Sequence, residues 1–300
     1  MLEFHPCGFG KKQVDTSLGR MVYYTQTSEP WDIGGSDKLP PLLFLHNFGG
    51  GASAFEWSKV YPAFAHKYRI LAPDLIGWGD SDHPVRDYQI VDYLTTIREF
   101  IHQTCADTVT VVASSLTAAL MIRIAISEPQ TFEQLFLVCP AGFNDFGQGA
   151  SRRLPLPVIN LPFVDSLIYG LGAENELAVT NFLQNFLFVK SQRLSQEIVQ
   201  AYLTSAQKRD GKYSALSFLK GNLYFDLSLY IPQLQVPTIF FWGEQAQFTN
   251  VSLGRRLASL NKMAIKDFQQ VLDTGILPHL ETPGVFIGLL SKYLDSQRVG

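Results

Sequence analysis

The chain has 300 residues, 46% of them apolar and 17% charged, and a formal net charge of −3. That supply of apolar side chains suits one large α/β unit with a sizeable core. The mixed, slightly acidic charge excludes a basic nucleic-acid-binding surface. No apolar run reaches the roughly 18 residues a membrane span needs, so no membrane contact is expected.

The first residues, Met1-Leu-Glu-Phe-His-Pro-Cys7, lack the apolar stretch of a signal peptide. Cys7, Cys105 and Cys139 are odd in number and far apart, which reads as reduced thiols in a cytoplasmic protein. No CxxC or HExxH spacing points to a metal, and no cofactor is expected. Strand-like runs around 13–17 and 21–25 flank Gly19-Arg20, which predicts a tight hairpin there. A polar Gly/Pro-rich loop follows, then the apolar run Pro41-Leu-Leu-Phe-Leu45, short enough to be a buried strand. Further strands are predicted at 69–73, 107–113, 134–139, 236–242 and 264–272. Helices are predicted at 90–103, 116–127, 252–260 and 284–294. Strands alternating with helices of this length imply parallel crossovers. The alternation breaks at 145–228, where helix follows helix. This predicts a core of 1–144 and 229–300 with a helical cap at 145–228. The cap opens on the proline-punctuated stretch Leu154–Pro162 and carries Phe182, Phe186, Leu187 and Phe188, as its own core or as the lining of an apolar cavity.

Five segments then occur in a telling order. They are His46-Asn-Phe-Gly-Gly-Gly51, Pro73-Asp-Leu-Ile-Gly-Trp-Gly-Asp-Ser-Asp82, Val111-Val-Ala-Ser-Ser-Leu-Thr-Ala118, Pro237-Thr-Ile-Phe-Phe-Trp-Gly-Glu244 and Thr274-Gly-Ile-Leu-Pro-His-Leu-Glu-Thr-Pro283. Together they resemble the oxyanion loop, the PDxxGxGxSD segment, the nucleophile elbow, the acid strand and the histidine loop of α/β-hydrolases. The resemblance implies an eight-stranded, mostly parallel α/β-hydrolase sheet flanked by helices. It places the nucleophile at Ser115 and the oxyanion hole at the backbone N–H groups of Phe48 and Leu116.

Triad chemistry needs a serine on a strained turn, a histidine that takes its proton and an acid that orients the histidine. The serine position is filled, although Ala113 and Thr117 stand where the elbow has glycines. The acid position of the pattern W-G-x-x-D falls on Ala246. The base position of G-H-x-P-H-x-E-x-P falls on Ile276, with His279 matching the second histidine. Neither alanine nor isoleucine can do the work. The expected function is a non-catalytic or weakly active binder of an apolar small molecule, or of a partner protein, under the cap. The alternative is an ester-type serine hydrolase whose base has moved to His279 or His46.

Overall fold

The computed structural model describes residues 4–32, 34–147 and 175–296, and the Leu154–Pro162 stretch lies outside them. Eight strands form one sheet: β1 Phe9–Thr16, β2 Gly19–Gln26, β3 Pro41–Leu45, β4 Arg69–Pro73, β5 Val109–Ser114, β6 Phe132–Val138, β7 Thr238–Gly243 and β8 Ile265–Val271. Their spatial order is β1-β2-β4-β3-β5-β6-β7-β8. The pairs β1/β2 and β2/β4 are antiparallel, and every later pair is parallel. The inner strands β3, β5 and β7 are buried along their whole length, which is why they read as mostly apolar runs.

Helices α1 (Ile90–Thr104), α2 (Ser115–Ser127), α6 (Val251–Ser259) and α8 (Pro283–Ser296) follow β4, β5, β7 and β8, with the short α7 (Pro278–Glu281) between β8 and α8. Between β6 and β7 the described residues form α3 (Glu176–Phe182), a π-helical turn (Leu183–Leu187), α4 (Gln196–Ala206) and α5 (Lys212–Leu219). Among the described residues, no helix is long and apolar enough to cross a membrane.

The hairpin differs from its sequence reading. The turn is Ser17-Leu18, and Gly19 already pairs with Thr16. Gly19 is needed for another reason: at φ 127° it lies against Asp82, whose carboxylate accepts the Arg20 N–H at 2.8 Å.

Side chains and backbone tie the helical insertion to the loops that leave the carboxyl ends of the strands. Ser205 donates to the carbonyl of Ala52, Ser214 to that of Gly77, and Tyr88 N–H to the Ser217 hydroxyl. A Cβ on Gly51 would collide with the Tyr202 carbonyl, so only glycine lets α4 come this close. Phe48 packs edge-on against Trp78 and Tyr93 and lies parallel to Phe218 of α5. Leu187 and Phe188 are buried, whereas Phe186 is 45% exposed and stacks on Phe248.

Candidate active site

Strand β5 ends at Ser114 and α2 begins at Ser115 with no intervening loop. Making that turn forces Ser115 to φ 53°, a left-handed value that non-glycine residues avoid. This is the geometry of a nucleophile elbow. Ser115 is 4% exposed, and its Oγ hydrogen-bonds to no described residue. Thr117, the bulky residue at a glycine position, has a local use: its hydroxyl donates to the His46 carbonyl at 2.6 Å and joins the elbow to the 46–51 loop.

The hydroxyl of Ser114 does not cap α2. It turns the other way and donates to Glu56 Oε1 at 2.5 Å. The first N–H groups of α2, Leu116 among them, are therefore left without a side-chain cap. The Phe48 N–H, the other expected oxyanion donor, donates to no described backbone carbonyl.

Glu56 is the residue that sequence reasoning missed. It is fully buried between Phe55 and Trp57. Its Oε2 accepts the Asn47 N–H at 3.0 Å, and its Oε1 accepts from both Ser114 and His279 Nε2, the latter at 2.7 Å. One carboxylate thus holds the 46–51 loop, strand β5 and α7 together. The His279 ring stacks on Trp57 with centroids 3.8 Å apart, and its Nδ1 is buried with no partner among the described residues. A carboxylate flanked by two aromatic residues in a buried segment is a sequence signal for an internal partner, because an unpaired charge is too costly to bury.

The other candidate base is committed to the backbone. His46 Nε2 accepts the Leu75 N–H at 3.0 Å, so Nδ1 carries the proton and donates to the Asn47 carbonyl at 2.7 Å. Burial lowers the pKa of this imidazole, against the opposing pull of Glu56 and the Asn47 carbonyl. Among the described residues no imidazole is hydrogen-bonded to Ser115.

Ala246 is buried in the turn after β7, where its N–H donates to the Gly243 carbonyl at 3.2 Å. Ile276 is 3% exposed, inside a loop fixed from both sides. Glu281 accepts the Gly275 N–H at 2.5 Å and the Val189 N–H at 3.0 Å, and it pairs with Arg193 at 3.3 Å. Asp273 pairs with Lys190 and Arg193. The loop that carries Ile276 and His279 is therefore latched to the helical insertion.

A family model described as the alpha/beta hydrolase family matches residues 42–289. This chain belongs to the alpha/beta hydrolase family. An uncharacterized protein of Mycobacterium tuberculosis is 25% identical over 281 residues, covering 88% of this chain and 77% of that one. A 2-hydroxy-6-oxo-6-phenylhexa-2,4-dienoate hydrolase of Burkholderia cepacia is 26% identical over 227 residues, covering 73% of this chain and 75% of that one. In structure, a serine hydrolase involved in carbazole degradation superposes with a TM-score of 0.74 at 17% identity, over 96% of this chain and 99% of the other. An epoxide hydrolase gives the same TM-score at 21% identity, again over 96% and 99%. These likenesses establish the α/β-hydrolase fold, with its eight-stranded, mostly parallel sheet.

Proposed function

We infer that this family member binds, rather than hydrolyses, an apolar small molecule or a partner protein beneath its helical insertion. One observation carries the reading. Ser115 stands on its strained elbow with no imidazole among the described residues bonded to it, Ile276 occupies the base position of the family pattern, and both candidate replacement histidines are engaged elsewhere. Loss of a triad histidine costs about 10⁶ in rate, and an oxyanion hole with binding alone retains about 10³–10⁴ over water. Purified protein is expected to cleave 4-nitrophenyl butyrate no faster than its Ser115→Ala variant. Enzymatic turnover that disappears in Ser115→Ala would overturn the reading.

A second reading rests on the Glu56–His279 pair. A buried carboxylate orienting an imidazole is two-thirds of a triad, and Glu56 also touches the residue next to Ser115. In this reading the chain is an ester-type serine hydrolase, in keeping with its hydrolase relatives. It predicts that a fluorophosphonate probe labels Ser115 and that His279→Gln abolishes labelling. An unlabelled wild-type protein excludes it.

A further inference from the structure

Helix α4 has two polar footholds on the core, and both hang from the carboxyl group of Asp74. Asp74 Oδ1 accepts the Ala54 N–H at 2.7 Å, in the segment whose Ala52 carbonyl receives the Ser205 hydroxyl of α4. Asp74 Oδ2 accepts the Asp80 N–H at 2.8 Å, and the Asp80 side chain pairs with Lys208, just past the end of α4. Asp74 is 1% exposed. It borders a cavity of about 50 Å³ whose other wall is α4 itself, through Ala201, Thr204 and Ser205.

Charged and titratable groups surround this carboxyl from several elements. Lys11 of β1 and Lys208 both pair with Asp80, and the Tyr24 phenol of β2 donates to the same carboxylate at 3.2 Å. Tyr61 and, from the N-terminal segment, His5 line the cavity as well. His83, Asp82 and Asp210 lie beside Lys208. Among the described residues no cation pairs with Asp74. An ionised carboxylate there needs water instead. The cavity has room for a water molecule but not for the shell an anion holds in solution. Burial accordingly raises the carboxyl to about 7, with the two N–H bonds and Lys11 opposing the rise and Asp80 adding to it. The wall that can yield is α4. Tyr24 sits in a strand paired on both edges, whereas α4 is fastened near its ends by ion pairs of partly exposed groups, Glu197 with Lys59 and Lys208 with Asp80.

We propose that Asp74 is a proton-operated catch for α4: its protonated carboxyl lets the helix seat on the core, and its ionised carboxylate draws water into the cavity and lifts the helix. The Tyr202 carbonyl of α4 lies against Gly51, so lifting the helix uncovers the 46–51 loop. The catch works in the same way whether the chain binds or hydrolyses.

The sign is fixed by linkage. With α4 lifted, water returns the carboxyl toward its ordinary value of about 4, so the lifted state gains up to about tenfold in population per pH unit until the seated carboxyl has itself ionised. His83 has the opposite sense, because its proton repels Lys208 and loosens α4 in acid. Asp80, held at about 2, keeps its charge throughout this range.

The test is hydrogen exchange of the full chain from pH 5 to pH 8, corrected for the intrinsic pH dependence of exchange. Residues 198–206 are expected to exchange faster than β5 at every pH, the mark of local opening rather than unfolding. Their protection should fall about tenfold per pH unit between pH 5 and pH 7 and then level off. Asp74→Asn carries no titrating proton and should give a flat profile. Its amide leaves one of the two N–H groups without an acceptor, so the slope and not the level is the readout. If that variant does not fold, the ¹³Cγ resonance of Asp74 in the wild type decides, since its titration midpoint must coincide with that of α4 exchange. A flat wild-type profile, loosening toward acid, a slope that survives Asp74→Asn, exchange of α4 only together with β5, or midpoints that disagree would overturn the proposal.

Discussion

Glu56 is the side chain on which most of the site depends. Truncating it strands three donors at once inside the protein. Removing one partner of a buried charged cluster costs about 3–5 kcal/mol. Glu56→Ala is expected to lose that much stability in urea denaturation, whereas Glu56→Gln, which keeps an acceptor, should lose about 1–3 kcal/mol. The Thr117 hydroxyl is a smaller case of the same accounting. Thr117→Val leaves the buried His46 carbonyl short of its donor and should cost about 1–2 kcal/mol by the same measurement. Ser115 was legible through the resemblance of Ala113–Thr117 to the family's elbow pattern, between a predicted strand and a predicted helix. Sequence reasoning could not find the partners of Glu56, because Ser114 and His279 lie 58 and 223 residues away along the chain. His46 is a candidate base by sequence alone, and the Leu75 N–H that occupies the imidazole's free nitrogen removes it.

At the level of elements, the central strands were legible because β3, β5 and β7 are buried along their length and are therefore mostly apolar. The hairpin turn lies two residues before the Gly19-Arg20 pair that marks it in the sequence. In the fold that glycine answers to Asp82, a neighbour distant in sequence. The latch between the 273–281 loop and the insertion was equally invisible, since Glu281 and Arg193 signal nothing by their spacing. Glu281 is fully buried as a side chain, and Arg193 is about one-fifth exposed. Glu281→Gln weakens a charge-assisted contact to Arg193 and two backbone donors. Hydrogen exchange is expected to quicken across residues 183–193, while the amides of β3 and β5 keep their protection.

The molecule as a whole has an unusual dependence on pH built into it. Asp74, at the end of β4, accepts the N–H groups of Ala54 and Asp80 and borders a cavity of about 50 Å³ between the core and α4. Burial raises its carboxyl to about 7, although those two N–H bonds pull the other way. A carboxyl raised on folding binds its proton more tightly in the native state than in the unfolded chain. Stability from Asp74 is therefore fullest below about pH 4 and is lost as pH rises toward 7. Asp80 has the opposite sense: its ion pairs with Lys11 and Lys208 outweigh burial and hold it at about 2. Its contribution is present above the usual carboxylate value and disappears only in strong acid. The stability difference between the wild type and Asp74→Asn should accordingly shift between pH 5 and pH 8 by up to about 1.4 kcal/mol per unit, in favour of the wild type at the acid end.

The π-helical turn at Leu183–Leu187 has a consequence for how the two parts of the chain are geared. A π turn is an α-helix holding one residue too many, and each residue of an α-helix advances the chain by about 100°. The surplus residue sets the rotational phase at which Val189 presents its N–H to Glu281. Deleting one residue from the turn would let it relax to an ordinary helix while swinging Val189, Lys190 and Arg193 about a quarter-turn out of step with Glu281 and Asp273. Such a variant should keep its helix content by circular dichroism and lose the latch, as a ratchet does when its pawl misses a tooth.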